Sequence, residues 1–304
     1  MVNILITGGN GYIGAHTVKE LVNKGHTVNA LIKTGTDLNP VKGLPVKIIM
    51  GNLLNSDDIE EAIQGCNVVL HLAGLVGSAS EKDNLSINYN GVSTLIKVCK
   101  KNKIKHLIFT SSISAVRKKV GPYGRSKQMA ENLIINSGID YTIFRPTMVY
   151  GNGSIGFKKI IKNINKFPLF IPIIGKGNNF RQPIYVKDMA KLLVCSISKY
   201  DARNKIYNTA GREKIEFRQL VKLVAQKMHK DKIFISIPVF ICKIFARIFE
   251  LTMKEPFFTR ENIRSLGEDT MPDIKDMMAD LNVRLTPLET GLNETIEDIK
   301  LSHR

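Results

Sequence analysis

The 304-residue sequence predicts an α/β fold, a doubly wound parallel sheet followed by a small C-terminal region. Three observations carry this expectation. Short β-branched runs alternate with helical patterns as far as about Arg145. A glycine-rich turn, Gly8-Gly9-Asn10-Gly11-Tyr12-Ile13-Gly14, follows the first run directly. Beyond Pro146 the alternation loosens into loops marked by Gly151, Gly153 and Gly156. Strands that alternate with helices pair in parallel, and the crossing helices cover both faces of the sheet.

Taken in order, residues 3–7, 26–32, 46–50, 68–72, 106–111 and 141–145 read as strands. Residues 12–24, 56–64, 85–101 and 123–137 read as the helices between them. Residues 1–150 are therefore assigned to the sheet-bearing core. Residues 151–304 are assigned to a mixed substrate-binding region, from which 185–210 return to the core. Within that region, residues 239–253 form a strongly apolar helical segment with Lys243, Arg247 and Glu250 on one narrow polar stripe. It is expected to pack as core or lid, with a subunit contact or shallow association with an anionic membrane as the alternatives.

Composition narrows the partners. There are 44 Lys and Arg against 27 Asp and Glu, a net charge of +17, which favours anionic ligands. The cations are dispersed on solvated helix faces, as at Lys97, Lys100 and Lys101, and no aromatic residues interleave with them. Nucleic acid is accordingly not expected, and an anionic small molecule is. The four cysteines are far apart in sequence, suggesting neither a disulfide framework nor a metal site. Neither a signal peptide nor a membrane span is readable, so the expectation is a cytoplasmic protein.

The glycine turn has the chemistry of a dinucleotide cradle. Gly8 permits the tight turn, Gly11 lets backbone approach a pyrophosphate, and Gly14 lets the helix pack on the strand. The amides and positive end of the helix that begins near Tyr12 and Ile13 then face the phosphates. Downstream, Tyr123-Gly124-Arg125-Ser126-Lys127 sets a phenol and an ammonium four residues apart on one helix face. A free phenol is a sluggish acid at neutral pH, and a neighbouring ammonium is expected to lower its pKa. Tyr123 is thus the candidate proton donor or acceptor, and Lys127 its electrostatic partner and a ribose ligand.

These motifs resemble the extended and atypical branches of the short-chain dehydrogenase/reductase superfamily, in which the turn is spaced Gly-x-x-Gly-x-x-Gly. The resemblance runs through Gly51-Asn52-Leu53, His71-Leu72-Ala73-Gly74, Thr110-Ser111-Ser112, Arg145-Pro146 and residues 184–188. It is similar to epimerase/dehydratase-family proteins, sugar-nucleotide reductases, dihydroflavonol-reductase-like enzymes and the complex I accessory-subunit branch. It implies a Rossmann-type core in which Leu53, Leu72, Ala73 and Pro146 line the cofactor. Asn52 stands where relatives carry an Asp that touches adenine. Asn88 matches the Asn that supports the active-site helix, with Asn90 competing for the role. Ser112 is implied to hold the substrate oxygen, with Ser111 second choice, and Arg181 to clamp a diphosphate.

Lys33 follows the second strand where NAD-binding relatives carry a carboxylate. NADP(H) is therefore the preferred cofactor and NAD(H) the other possibility. No Asp-Glu pair follows Ser112, which speaks against 4,6-dehydration. The resemblance implies an oxidoreductase that moves a hydride at a carbonyl or hydroxyl carbon of a nucleotide-linked sugar, with epimerisation next and a possible homodimer. A non-catalytic NADP(H)-binding assembly or scaffold protein is the reading from another class.

Overall fold

The alternating pattern is realised as a seven-stranded parallel sheet in the computed structural model, which describes residues 1–75, 80–252 and 260–301. Its early elements are β1 (Asn3–Thr7), α1 (Tyr12–Asn23), β2 (Thr27–Ile32), β3 (Lys47–Met50), α2 (Ser56–Ile63) and β4 (Val68–His71). There follow α3 (Glu81–Leu85), α4 (Gly91–Lys101), β5 (His106–Thr110), α5 (Pro122–Ile135) and β6 (Asp140–Pro146). Later elements are β7 (Val149–Tyr150), α6 (Ile155–Lys166), β8 (Phe170–Ile174), β9 (Phe180–Arg181), β10 (Ile184–Tyr185), α7 (Val186–Cys195) and β11 (Lys205–Thr209). The chain continues with β12 (Ile215–Glu216), α8 (Phe217–Lys227), β13 (Ile233–Ile237), α9 (Val239–Thr252), α10 (Arg260–Leu266), α11 (Lys275–Leu281) and α12 (Leu288–Leu301).

The sheet order is β11-β6-β5-β4-β1-β2-β3. The order reverses between β1 and β4, whose pairing sets Ile4 opposite Val68 and Thr7 opposite His71. In a doubly wound sheet the crevice beyond the carboxyl ends of two such strands is where a ligand lodges. Ile4, Leu5, Ile6, Val69 and Leu70 are fully buried, as strands covered on both faces must be. On one face a continuous core runs from Leu5 and Val69 through Ile59, Val92 and Leu95 to Ala130 and Ile134, joining α2, α4 and α5 to the sheet. On the other, α1 packs against α7.

The chain divides into two compact units. The first comprises Met1–Pro146, Val186–Thr209 and Asp273–Arg284, and the second Thr147–Tyr185, Ala210–Pro272 and Leu285–Arg304. The core thus ends four residues earlier than position 150, and α7 with β11 belongs to it. A further segment of the first unit, carrying α11, comes from residues read as substrate region. Tyr207 of β11 donates to the Asp280 carboxylate at 2.7 Å, a link no sequence pattern announces.

The helix expected from residue 85 begins at Glu81, where the Ser80 hydroxyl caps it by accepting from the Asp83 amide at 3.1 Å. Between α3 and α4 one turn, Ser86–Asn90, is a π-helix. The second unit holds two-stranded pairs β7–β10, β8–β13 and β9–β12 with α6, α8, α9, α10 and α12. The expectation that the apolar segment near residue 240 packs as core is corrected here. Only Cys242 and Ala246 of α9 are buried, while Phe240, Ile244, Phe245 and Leu251 are more than half exposed. Met253, the last residue of that segment, lies outside the described residues.

Candidate active site

The glycine turn is shaped by close approach. Gly8 has φ +71°, and a Cβ there would lie 2.7 Å from the Ala73 amide nitrogen. Only glycine permits both, and Leu72 and Ala73 consequently run past the turn backbone to backbone. At Gly14 a Cβ would overlap the Gly8 carbonyl. Gly11 is the N-cap of α1. No side chain caps that end, and its first turn carries no carboxylate. An open helix N-terminus behind a glycine-rich turn fits a pyrophosphate. Tyr12 and Ile13, in that first turn, are half-buried.

The adenosine side is organised by polar side chains. Lys33 is exposed just after β2, and among the described residues no carboxylate pairs with it. Its carbonyl accepts from the Thr36 hydroxyl at 2.6 Å. Asn10 donates to Thr36 Oγ1 and to the Asp37 carbonyl, both at 2.9 Å, tying this loop to the glycine turn. The Asp37 carboxylate accepts from the Asn39 amide at 2.9 Å, closing its own turn. Asn52 is exposed and its Oδ1 accepts from the Leu54 amide at 3.0 Å, so one lone pair and the amide hydrogens remain for a base. Leu53 is buried, and a Cβ at Gly91 would lie 2.6 Å from its Cδ2. It seats the start of α4.

Three elements assemble the catalytic candidates. Ser112 follows β5 and caps the short 3₁₀ turn Ile113–Val116, accepting from the Ser114 amide at 3.1 Å. Its hydroxyl is placed to lower the pKa of the Tyr123 phenol. α5 opens on Pro122, whose missing N–H costs nothing at a first helical position. Lys127 is buried. Its ammonium donates to the Thr110 carbonyl at 2.9 Å and lies 4.7 Å from the centroid of the Phe109 ring. Burial lowers the Lys127 pKa to about 8, opposed by the Glu131 carboxylate. Burial raises the Tyr123 pKa, opposed by the Ser112 hydroxyl. The expectation that Lys127 depresses the phenol is therefore corrected: the ammonium is turned onto β5, and the group that favours phenolate is Ser112.

The strand end at β4 joins cradle and pair. A Cβ at Gly74 would lie 2.9 Å from Asn88 Oδ1 and 3.2 Å from Lys127 Nζ. Asn88 is buried in the π turn. It donates to Ser126 Oγ at 3.0 Å and to the Leu75 carbonyl at 3.2 Å, and accepts from the Leu75 amide at 2.8 Å. Ser126 in turn donates to the Tyr123 carbonyl at 2.8 Å. Asn90 is exposed. The side chain that braces α5 is Asn88.

Three further candidates sit elsewhere in the architecture. Ser111 is buried and donates to Glu131, away from the role of holding a substrate oxygen. Glu131 is itself gripped by Arg145 of β6, whose Nη2 and Nε reach it at 2.6 and 3.0 Å. Sequence reasoning passed over Glu131, although Tyr123, Lys127 and Glu131 recur every four residues on one helix face. Pro146 is buried at the end of β6, paired with Thr209 of β11. Arg181 lies in the second unit with 6% exposure. Its guanidinium donates to the carbonyls of Phe180, Leu266 and Glu268 at 2.8, 2.7 and 2.5 Å, and to Ser265 at 3.3 Å. Those donors hold the turn after α10, which differs from the expected diphosphate clamp.

Comparison with known proteins identifies the family and the fold. Residues 4–210 match the NAD dependent epimerase/dehydratase family. The chain is 26% identical over 293 residues to the mouse mitochondrial NADH dehydrogenase [ubiquinone] 1 alpha subcomplex subunit 9, covering 93% of this chain and 77% of that protein. It is 25% identical over 275 residues to the UDP-glucose 4-epimerase of Vibrio cholerae, covering 81% and 82% respectively. Among solved structures it resembles UDP-glucuronic acid 4-epimerase from Bacillus cereus in complex with NAD. The TM-score is 0.81 at 20% identity, over 99% of this chain and all of that one.

Proposed function

We propose, from a chain that belongs to the NAD dependent epimerase/dehydratase family, an NADP(H)-dependent oxidoreductase acting on a carbonyl or hydroxyl carbon of a nucleotide-linked sugar. The observation that carries the reading is the buried Lys127 ammonium on the Tyr123 helix, held on the Thr110 carbonyl and against Gly74, one strand end from the glycine cradle. The dinucleotide, when bound, supplies or accepts the hydride. Ser112 holds the substrate oxygen, Tyr123 gives or takes its proton, and the Lys127 ammonium keeps the pocket positive while that proton moves. The cradle and the open α1 N-terminus bind the pyrophosphate.

Lys33 supports the choice of NADP(H), since an exposed cation at the end of β2 pairs with a 2′-phosphate that a carboxylate there would repel. Residues 113–119 offer no carboxylate beside Ser112, which supports leaving dehydration aside. The excess of cations suits an anionic substrate. The cytoplasm is the proposed compartment.

The test is the affinity and exchange of NADPH against NADH on the purified protein, together with any dinucleotide that co-purifies. The expected result is NADPH bound at least tenfold more tightly and exchanging readily, with Lys33→Asp reversing the order. Retained, slowly exchanging NAD, or selectivity unmoved by Lys33→Asp, overturns the NADP(H) reductase reading. The Vibrio cholerae relative makes an epimerase the second reading, and tightly held NAD is its mark. The mouse relative, an alpha subcomplex subunit by name, favours a non-catalytic binding protein as the third.

A further inference from the structure

The α9 helix is amphipathic in the wrong sense for a surface helix. Its buried positions are the small residues Cys242 and Ala246, which pack on Ile263 with Ile174 and Ile237. Its large apolar side chains point outward: Phe240 is 65% exposed, Ile244 56%, Phe245 51%, Ile248 47% and Leu251 78%. At 100° per residue, Phe240, Ile244, Ile248 and Leu251 share one stripe, and Phe245 borders it. Together they expose on the order of several hundred Å² of apolar surface, the size at which such patches mark an interaction site. The strand leading into α9 continues the character, with Ile233 71% and Ile235 46% exposed.

Charge says what covers this face. Lys243 and Arg247 are exposed along one edge of the stripe. The helix's one carboxylate, Glu250, is held by Arg260, which reaches it through Nε at 2.7 Å and through its backbone amide at 2.8 Å. The edge is thus net cationic. In the same unit α6 presents Lys158, Lys159, Lys162 and Lys166 to solvent and carries no carboxylate. A second copy of a chain carrying +17 is repelled from such a face. Among the described residues no helix is long and apolar enough to cross a membrane, and 14 residues of helix reach only about 21 Å. An apolar stripe with a cationic edge on a short helix is the pattern of one that lies in a lipid interface, its lysines and arginines reaching the headgroups.

We propose that the outward face of α9 docks the protein on an anionic lipid surface, with Phe240, Ile244, Ile248 and Leu251 entering the acyl boundary and Lys243 and Arg247 meeting the headgroups. The proposal is independent of the reaction catalysed.

The chain contains no tryptophan, so Phe245→Trp supplies a single fluorescent reporter. The full-length protein would be mixed with vesicles of phosphatidylcholine alone, or with 30 mol% phosphatidylserine (about one lipid in three), at low and high salt. The expected result is a blue shift and co-flotation with the anionic vesicles, at least tenfold weaker with neutral ones and in high salt. Phe240→Ser with Ile244→Ser should abolish the binding, and Lys243→Glu with Arg247→Glu should remove the preference for anionic lipid. Unchanged melting temperatures in these exposed-site variants show that folding is kept. Absence of vesicle binding, or binding indifferent to Phe240→Ser with Ile244→Ser, overturns the proposal. So does a concentration-dependent dimer, seen by light scattering and lost in that variant, that forms without any vesicle binding.

Discussion

At the scale of single residues, the candidate site sets two groups of opposite charge type against burial. Burial disfavours whichever form is charged, so it moves the Tyr123 phenol up and the Lys127 ammonium down to about 8. The two groups, ordinarily close at 10.0 and 10.5, are thereby moved apart, so the phenol keeps its proton more firmly than the ammonium does and stands ready as a donor. Ser112 acts on the phenol in the opposite sense, against the larger effect of burial. Tyr123→Phe removes the proton while keeping the ring, so it should lower turnover by about 10²- to 10⁴-fold with dinucleotide affinity unchanged. Isothermal titration beside a turnover assay checks this. Turnover that survives the substitution removes Tyr123 from the chemistry and leaves the non-catalytic reading in possession.

At the scale of elements, the distance between Ser112 and Tyr123 depends on how closely α5 sits on the 3₁₀ turn before it. Gly124 is the contact. A Cβ there would overlap the Ser114 carbonyl, a backbone atom that cannot swing aside. Gly124→Ala should push the start of α5 outward, costing about 1–3 kcal/mol of stability. It should lower turnover by roughly 100-fold, since misplacement of about 1 Å suffices for that. Urea unfolding and steady-state kinetics on the variant measure both, and a fully active variant would show that the turn yields instead. The helix start and the Tyr-Lys pair were legible in sequence because they rest on local spacing and on Pro122. The π turn was not. Nothing in the spacing of residues 86–90 marks a π turn, and what fixes the extra residue per turn is the buried Asn88, bonded to Leu75 and Ser126 from distant segments. Arg181 misled for the same reason, because its partners at Ser265, Leu266 and Glu268 lie more than 80 residues away. The outward stripe of α9 was readable as periodicity, yet periodicity alone does not say which face is inside.

At the scale of the whole molecule, the parallel sheet was the most legible feature, because alternation of short apolar runs with helices admits few other solutions. The same sheet buries two histidines that sequence patterns leave unremarked. His71 of β4 shares a 2.6 Å hydrogen bond with Thr7 Oγ1 and stacks on Phe109 at 5.4 Å. His106 of β5 lies 2.9 Å from Thr142 Oγ1, whose own proton goes to the Ala202 carbonyl, so Nε2 of His106 is the donor. Among the described residues, the second ring nitrogen of each is buried with no hydrogen-bond partner. Burial, with Lys127 near one and Arg203 near the other, holds their pKa values at about 3 and about 4. Both folded values lie below the unfolded value near 6.5. The unfolded chain therefore binds the extra protons as pH falls, and stability present above pH 6.5 is lost below it. At pH 5 each histidine should cost about 2 kcal/mol relative to pH 7, a large share of a domain's usual 5–15 kcal/mol. Urea unfolding of the wild type at the two pH values should show that loss. His106→Gln, which keeps a donor for Thr142, should recover about half of it by shallowing the pH slope. A slope unchanged by the substitution would mean that His106 is solvated in the folded chain and that the acid sensitivity of this sheet resides elsewhere.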